Sequence, residues 1–224
     1  MCFFIYAFSL MIASSVPSSS YLALRCDMSK HDPMTLAAQL MSQAPDQRPP
    51  VDQWDPPFCG DIDIRITSDG QWFHEGSPFT RPALVRLFSN ILRREKNGDY
   101  CLVTPQEKVR IQVDDVPFVI VRWAWQSGSS IPVLTLTTQV GDEVEVGPAH
   151  PMTLQDALDE PGDSDPLPYV QVRSGLLARL GRNVFYQLID QGRLEPDESG
   201  EVLVIESHGQ CYPLGHLPDE GSAV

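Results

Sequence analysis

Residues 69–122 read as a hairpin turn, an amphipathic helix and a strand meander in immediate succession, and that order constrains the fold more than any other feature. Ahead of the turn, DIDIRIT at 61–67 alternates strictly. It sets Ile62, Ile64 and Ile66 on one face and Asp61, Asp63 and Arg65 on the other, the pattern of a half-buried strand. Asp69-Gly70 is a strong reversal signal, and the return strand puts Trp72 and His74 on one face. An indole and an imidazole so placed either stack on a planar ligand or pack at a sheet edge. Thr80 as cap and Pro82 in the first turn then open a helix. Its stripe is Leu84, Val85, Leu87, Phe88, Ile91 and Leu92, with Arg93, Arg94 and Lys96 in the last turn and Gly98 as the stop. Strands are predicted at 100–103, 108–113 and 117–125, with Asp114-Asp115 as a tight turn. Alternation along the last of these expects Arg122 on the face of Phe118 and Ile120, where it either caps the sheet or meets an anion.

The second part of the chain repeats this plan loosely. VLTLTT and EVEV flank Val140-Gly141-Asp142 as a hairpin, and 147–168 is irregular apart from one helical turn at 154–158. A strand YVQVR follows, then a helical stripe of Leu176, Leu177, Leu180, Val184 and Leu188 interrupted at Gly181, then a closing hairpin at 200–214. RPALVRLFSNIL leading to GDYCLV matches RSGLLARLGRNVFYQLI leading to GEVLV in element order. The expected fold class is therefore α+β, with two similar helix-plus-antiparallel-sheet units at 58–126 and 127–217. An extension at 1–57 precedes them and a tail at 218–224 follows.

Charge narrows the function. With 224 residues, 42% hydrophobic, the chain can bury a sizeable core, and its net charge of −14 excludes non-specific nucleic-acid binding. The distribution is uneven: eight basic residues face five acids over 81–122, whereas 131–170 holds eight acids and no Lys or Arg. These charges either solvate helix and hairpin faces or mark a local anion site on an acidic body. Five widely spaced cysteines without C-x-x-C read as structural thiols of a cytoplasmic protein. Residues 2–13 (CFFIYAFSLMIA) are apolar but too short to span a bilayer and lack a preceding Lys or Arg. An upstream start, with Met28 opening the ordinary chain, is preferred over a signal or anchor, which would make the protein exported or anchored. A short helix is expected at 34–44, and the proline-rich 45–57 reads as a linker pinned by Trp54. No histidine spacing suits zinc, no Walker loop, nucleophile elbow or dinucleotide fingerprint occurs, and the acids at 156–165 lack the closing Glu of a calcium loop. The expectation is a non-catalytic protein with no cofactor and no metal.

The blocks DGQWFHEG, RPALVRLFSNIL, GDYCLVTPQEKVRIQVDDVPF, PYVQVRSGLLARLGRNVFYQLI and CYPLG resemble the bacterial family catalogued as domain of unknown function 1285, over residues 54–217. The resemblance implies a duplicated α+β core whose C-terminal half is pleckstrin-homology-like. It also implies a ligand site between the halves for a nucleotide-like molecule, in a signalling context. Matching positions are Trp72, His74, Arg81, Arg110, Tyr169 and Arg173. With Arg122 added from the strand pattern, these are the candidate ligand-binding residues, the aromatics stacking and the arginines holding phosphate or carboxylate. The alternative is a protein–protein interaction domain using a sheet edge or the acidic 131–170 segment. Where Arg81, Arg110, Arg122, Arg173 and Arg182 point separates a shared cleft from scattered surface charge.

Overall fold

The computed structural model describes residues 48–128, 130–158, 165–197 and 200–217. The expected helix at 34–44 and the apolar segment at 2–13 lie outside them. Strands dominate. The first sheet is built from β1 (Phe58–Ile66), β2 (Trp72–His74), β3 (Ser77–Pro78), β4 (Leu92–Arg94), β5 (Tyr100–Val103) and β6 (Lys108–Val113), with helix α1 (Pro82–Asn90) between β3 and β4. Its order is β3-β2-β1-β6-β5-β4. The second sheet holds β7 (Phe118–Trp125), β8 (Leu134–Thr138), β9 (Glu143–Glu145), β10 (Met152–Gln155), β11 (Leu167–Arg173) and β12 (Leu176–Leu180), in the order β10-β11-β12-β7-β8-β9. Helix α2 (Arg182–Ile189) leads into a third, antiparallel sheet of β13 (Arg193–Asp197), β14 (Gly200–Ser207) and β15 (Gln210–Leu217).

The two six-stranded sheets share one topology. In each, the first strand pairs in parallel with the sixth at the sheet centre (β1 with β6, β7 with β12), and the remaining pairs are antiparallel. The repeat therefore lies in strand order and not where helix-to-helix matching put it. Helix α1 sits inside the first set of strands, whereas α2 follows the second. Leu176–Leu180 is a strand, not part of a helical stripe: Leu176, Ala178 and Leu180 are buried at period two. Gly181 follows it as the residue before helix α2, and only glycine fits there, because a Cβ would stand 2.6 Å from the Ile120 carbonyl oxygen. The purely antiparallel expectation fails at both parallel pairs, which local alternation does not distinguish.

Three local expectations change for physical reasons. Helix α1 stops at Asn90, and Leu92–Arg94 pairs with Tyr100–Leu102 as a hairpin, so Arg93 and Arg94 belong to a strand and Gly98 (φ +94) to its turn. Residues 152–155 form strand β10 on β11 in place of a helical turn at 154–158. Along β7, Ile120 pairs with Thr138 but Arg122 with Thr137, so an extra residue bulges the strand and turns Arg122 outward. The Asp61–Thr67 strand, the Asp69-Gly70 turn, the β8–β9 hairpin and the β14–β15 hairpin stand as expected.

Both halves share one core. Ile64, Ile66, Phe88 and Leu102 pack in the same cluster as Phe118, Ile120, Leu134 and Val170, all essentially inaccessible to solvent. Each such side chain contributes roughly 1.5–3 kcal/mol on burial. Trp54 is half-buried against this cluster and ties the proline-rich segment to the first sheet, as the linker reading expected. No helix among the described residues is long and apolar enough to cross a membrane.

Candidate ligand cavity between the two halves

Polar locks fix how the halves meet. Asp115, in the turn between β6 and β7, is 1% exposed. It accepts from the Tyr169 hydroxyl of β11 at 2.9 and 3.0 Å and pairs with Arg179 of β12 at 3.4 Å. Arg179 also donates to the Ser68 carbonyl in the β1–β2 turn at 2.9 Å, so one buried carboxylate organises contacts from both sheets. The second lock is Arg173. Its guanidinium lies 4.9 Å over the Phe118 ring, donates to Asp142 at 2.8 Å and donates to the Ser89 carbonyl at the end of α1. Burial lowers its pKa and Asp142 opposes that shift. Arg48 occupies the other oxygen of Asp142 at 2.6 Å.

Between these locks the β1–β2 turn and the start of α1 face the β8–β9 turn. Gly70 (φ +82) allows the approach: a Cβ would meet Gln139 Nε2 at 2.8 Å. Gln139 is itself fixed, accepting from the Val119 amide and donating to the Pro117 carbonyl. A cavity of about 520 Å³ remains, lined by Trp72, Phe79, Val85 and Arg86 from the first half and by Gln139 and Val140 from the second. The Phe79 ring stands edge-on to Phe88, 5.7 Å between centroids. Trp72 is 2% exposed, and its buried indole N–H has no acceptor among the described residues. An unpaired buried donor costs about 1–3 kcal/mol. Arg86 is exposed on α1, with a guanidinium nitrogen beside Gly141 of the opposite turn.

A larger cleft, about 770 Å³, lies on the outer face of the first sheet, between the 52–55 segment and the β4–β5 hairpin. Its charges are mostly spent on one another. Arg110 forks onto Asp61 at 2.8 Å and reaches Asp99 at 3.3 Å; Arg93 and Lys108 both hold Glu95, and Arg93 also donates to the Val51 and Trp54 carbonyls. Cys101 beneath them is a free thiol pushed up to about 11 by burial and by Glu95, so it is not a nucleophile at neutral pH. Burial opposes ionisation of Glu95, but the Arg93 and Lys108 hydrogen bonds outweigh it and hold the carboxyl below its ordinary 4.5. Below that value the unfolded state binds more protons than the folded one, so stability falls as pH drops through the folded pKa. Urea denaturation at steps from pH 5 to 2.5 is expected to show this decline, with a shallower slope in Glu95→Gln; equal slopes would remove Glu95 as a contributor.

The candidate residues from the sequence do not meet in one place. Of these, Trp72 alone lines the inter-half cavity; His74 does not, and its ring lies 6.3 Å from that of Phe79. Arg81 is the exposed N-cap residue of α1, Arg110 lines the outer cleft, Arg122 projects from the β7 bulge, and Arg182 is exposed at the start of α2. Tyr169 and Arg173 are engaged in the two locks. Nothing in the local sequence marks Phe79, Arg86 or Val140 as part of a site. Arg86 lies on the polar side of the α1 stripe and Val140 in a predicted hairpin turn, so only the pairing of the halves brings them together.

A strand-rich, two-half protein with repeated sheet topology and a cavity at the joint is thus defined by structure alone. Sequence comparison gives the family. The N-terminal domain described as "Domain of unknown function (DUF1285)" matches residues 49–116, and the C-terminal domain described as "Protein of unknown function (DUF1285)" matches residues 117–214. The chain belongs to this family, as the sequence blocks suggested. The crystal structure of a DUF1285 family protein from Silicibacter pomeroyi DSS-3 is similar over 80% of this chain and 94% of that one, at 43% identity and a TM-score of 0.69. Another, from Shewanella baltica OS155, has 26% identity and a TM-score of 0.43, covering 57% of this chain and 90% of that one. No curated protein matches.

Proposed function

We propose that this protein is a non-catalytic ligand-sensing module that takes a small, nucleotide-like or otherwise anionic ring compound into the cavity between its halves. The observation that carries this reading is the lining. An aromatic and aliphatic wall from both halves surrounds a space of about 520 Å³, a size typical of small-molecule sites, with a single cation at its edge. A ligand touching both halves would stabilise their association, which is how occupancy could be signalled. The second half is read as pleckstrin-homology-like, its sheet followed by α2, which is held to β7 by the Trp123 indole N–H donating to Gln187 at 2.8 Å.

The test is thermal unfolding with a panel of nucleotides and ring metabolites, run on the native chain and on Ala83→Trp. Ala83 is exposed on α1 and lines the cavity, so a larger side chain fills the space without entering the core. At a ligand concentration 100 times Kd, stabilisation of about 2.7 kcal/mol is expected, read as a higher Tm, and its loss in the variant. Stabilisation that survives in Ala83→Trp would move the site elsewhere. A protein–protein interaction domain is the second reading. It is favoured by the Trp123–Trp125 edge-to-face pair and the exposed Val121 on β7, together with the exposed Tyr186 on α2, next to the Gln187 that accepts from Trp123. Trp125→Asp abolishing capture of a stoichiometric native partner, with the panel silent, would support it.

A further inference from the structure

We infer that the inter-half cavity selects a ring compound carrying one negative charge, anchored by Arg86, and discriminates against polyanions such as nucleoside triphosphates. The inference rests on the proposed ligand site and names the chemistry it accepts. Among the described residues that line the cavity, Arg86 is the only charged one. Among the described residues no carboxylate pairs with it: both oxygens of Asp142, in the turn beside it, are held by Arg48 and Arg173. The neighbouring polar liners are committed, Gln139 to Val119 and Pro117 and Gln71 to Asp69. One planar guanidinium can receive one carboxylate or one phosphodiester through paired charge-assisted hydrogen bonds. The floor offers Trp72, Phe79 and Val140, which suit a flat ring and, apart from the buried Trp72 indole N–H, give extra anionic groups no donor.

The charge of the whole molecule acts the same way. On a body of net charge −14, each further negative charge on a ligand meets repulsion that a single arginine does not cancel. In the larger outer cleft Arg93, Lys108 and Arg110 are already paired with Glu95, Asp61 and Asp99, which leaves Arg94 and Lys96, both exposed, as its cations for a rival site. A ring carboxylate and a cyclic nucleoside monophosphate share the required chemistry.

Titration calorimetry on the full chain tests this with indole-3-acetate, its neutral amide, 3′,5′-cyclic AMP and ATP. Expected is binding of indole-3-acetate, of cyclic AMP, or of both, at least tenfold tighter than the amide and than ATP; which of the two binds identifies the carboxylate or the phosphodiester as the source. Arg86→Gln should bring the charged ligand down to the amide's affinity with an unchanged Tm, since the side chain is exposed and makes no ion pair among the described residues. ATP binding as tightly as the monoanions, amide binding equal to the acid, or an Arg86→Gln variant of unaltered affinity would overturn the charge rule. If the affinity of whatever binds still collapses in Ala83→Trp, the cavity stands while the charge rule falls. No heat from any probe up to millimolar concentration would overturn the ring-monoanion assignment, and the broader panel on Ala83→Trp then decides separately on the cavity.

Discussion

Asp115→Ala is expected to cost about 3–5 kcal/mol of folding stability, the range for removing one partner of a buried charged pair. At about 2–4 °C per kcal/mol for a chain of this size, Tm should fall by about 6–20 °C. The carboxylate is 1% exposed and serves Tyr169, Arg179 and the Leu158 amide together. Removing it takes away the acceptor that ties the β6–β7 turn to β11 and β12, and Arg179 in turn reaches Ser68 of the first half. Asp115→Asn, which keeps an acceptor for Tyr169 but loses the charge, should cost less, and Tyr169→Phe about 1–2 kcal/mol. Chemical denaturation of the three variants orders them. A loss below about 1 kcal/mol for Asp115→Ala would show that the halves are not held here.

Arg173→Ala should be the next most damaging change, at about 2–4 kcal/mol. It removes a charge-assisted bond to Asp142, a bond to the Ser89 carbonyl and stacking on Phe118. The figure is smaller than for Asp115 because Arg48 still answers Asp142. Arg173→Lys should recover little, since an ammonium neither forks nor stacks as a guanidinium does. The sequence offered Arg173 as an anion-binding residue, and the same experiment separates the roles. If the side chain holds the β8–β9 turn in place, Tm falls in the absence of any ligand. An unchanged Tm with lost ligand affinity would return Arg173 to the binding set.

How much of this was legible in the sequence depended on range. Strands with strict alternation, such as residues 61–67, and the Asp69-Gly70 turn could be placed because each depends on residues within a few positions. The helix stripe was readable too, but its end was not. Ile91 and Leu92 continue the apolar period, and only the pairing of Leu92–Arg94 with β5 stops the helix at Asn90. Arg122 was misplaced by a single bulged residue, since a one-residue slip inverts every later side chain. The parallel pairs were invisible for a different reason: β1 and β6, or β7 and β12, are chosen by packing between distant segments.

The site followed the same rule. Trp72 was recognisable as an aromatic on a patterned strand, whereas Arg86 was one of several basic residues until the β8–β9 turn was set against α1. Tyr169 and Arg173 carry chemistry that would suit a ligand, and the same chemistry here answers Asp115 and Asp142. A buried arginine or tyrosine hydroxyl needs a partner either way, and sequence does not say whether protein or ligand supplies it.

A crystal structure of the chain grown with indole-3-acetate tests the central claim most directly. The account predicts the ring against Trp72, Phe79 and Val140 with its carboxylate on the Arg86 guanidinium, and the Arg173 and Asp115 contacts unchanged. Ligand density on Arg94 and Lys96 of the outer cleft, with the inter-half cavity empty, would contradict it.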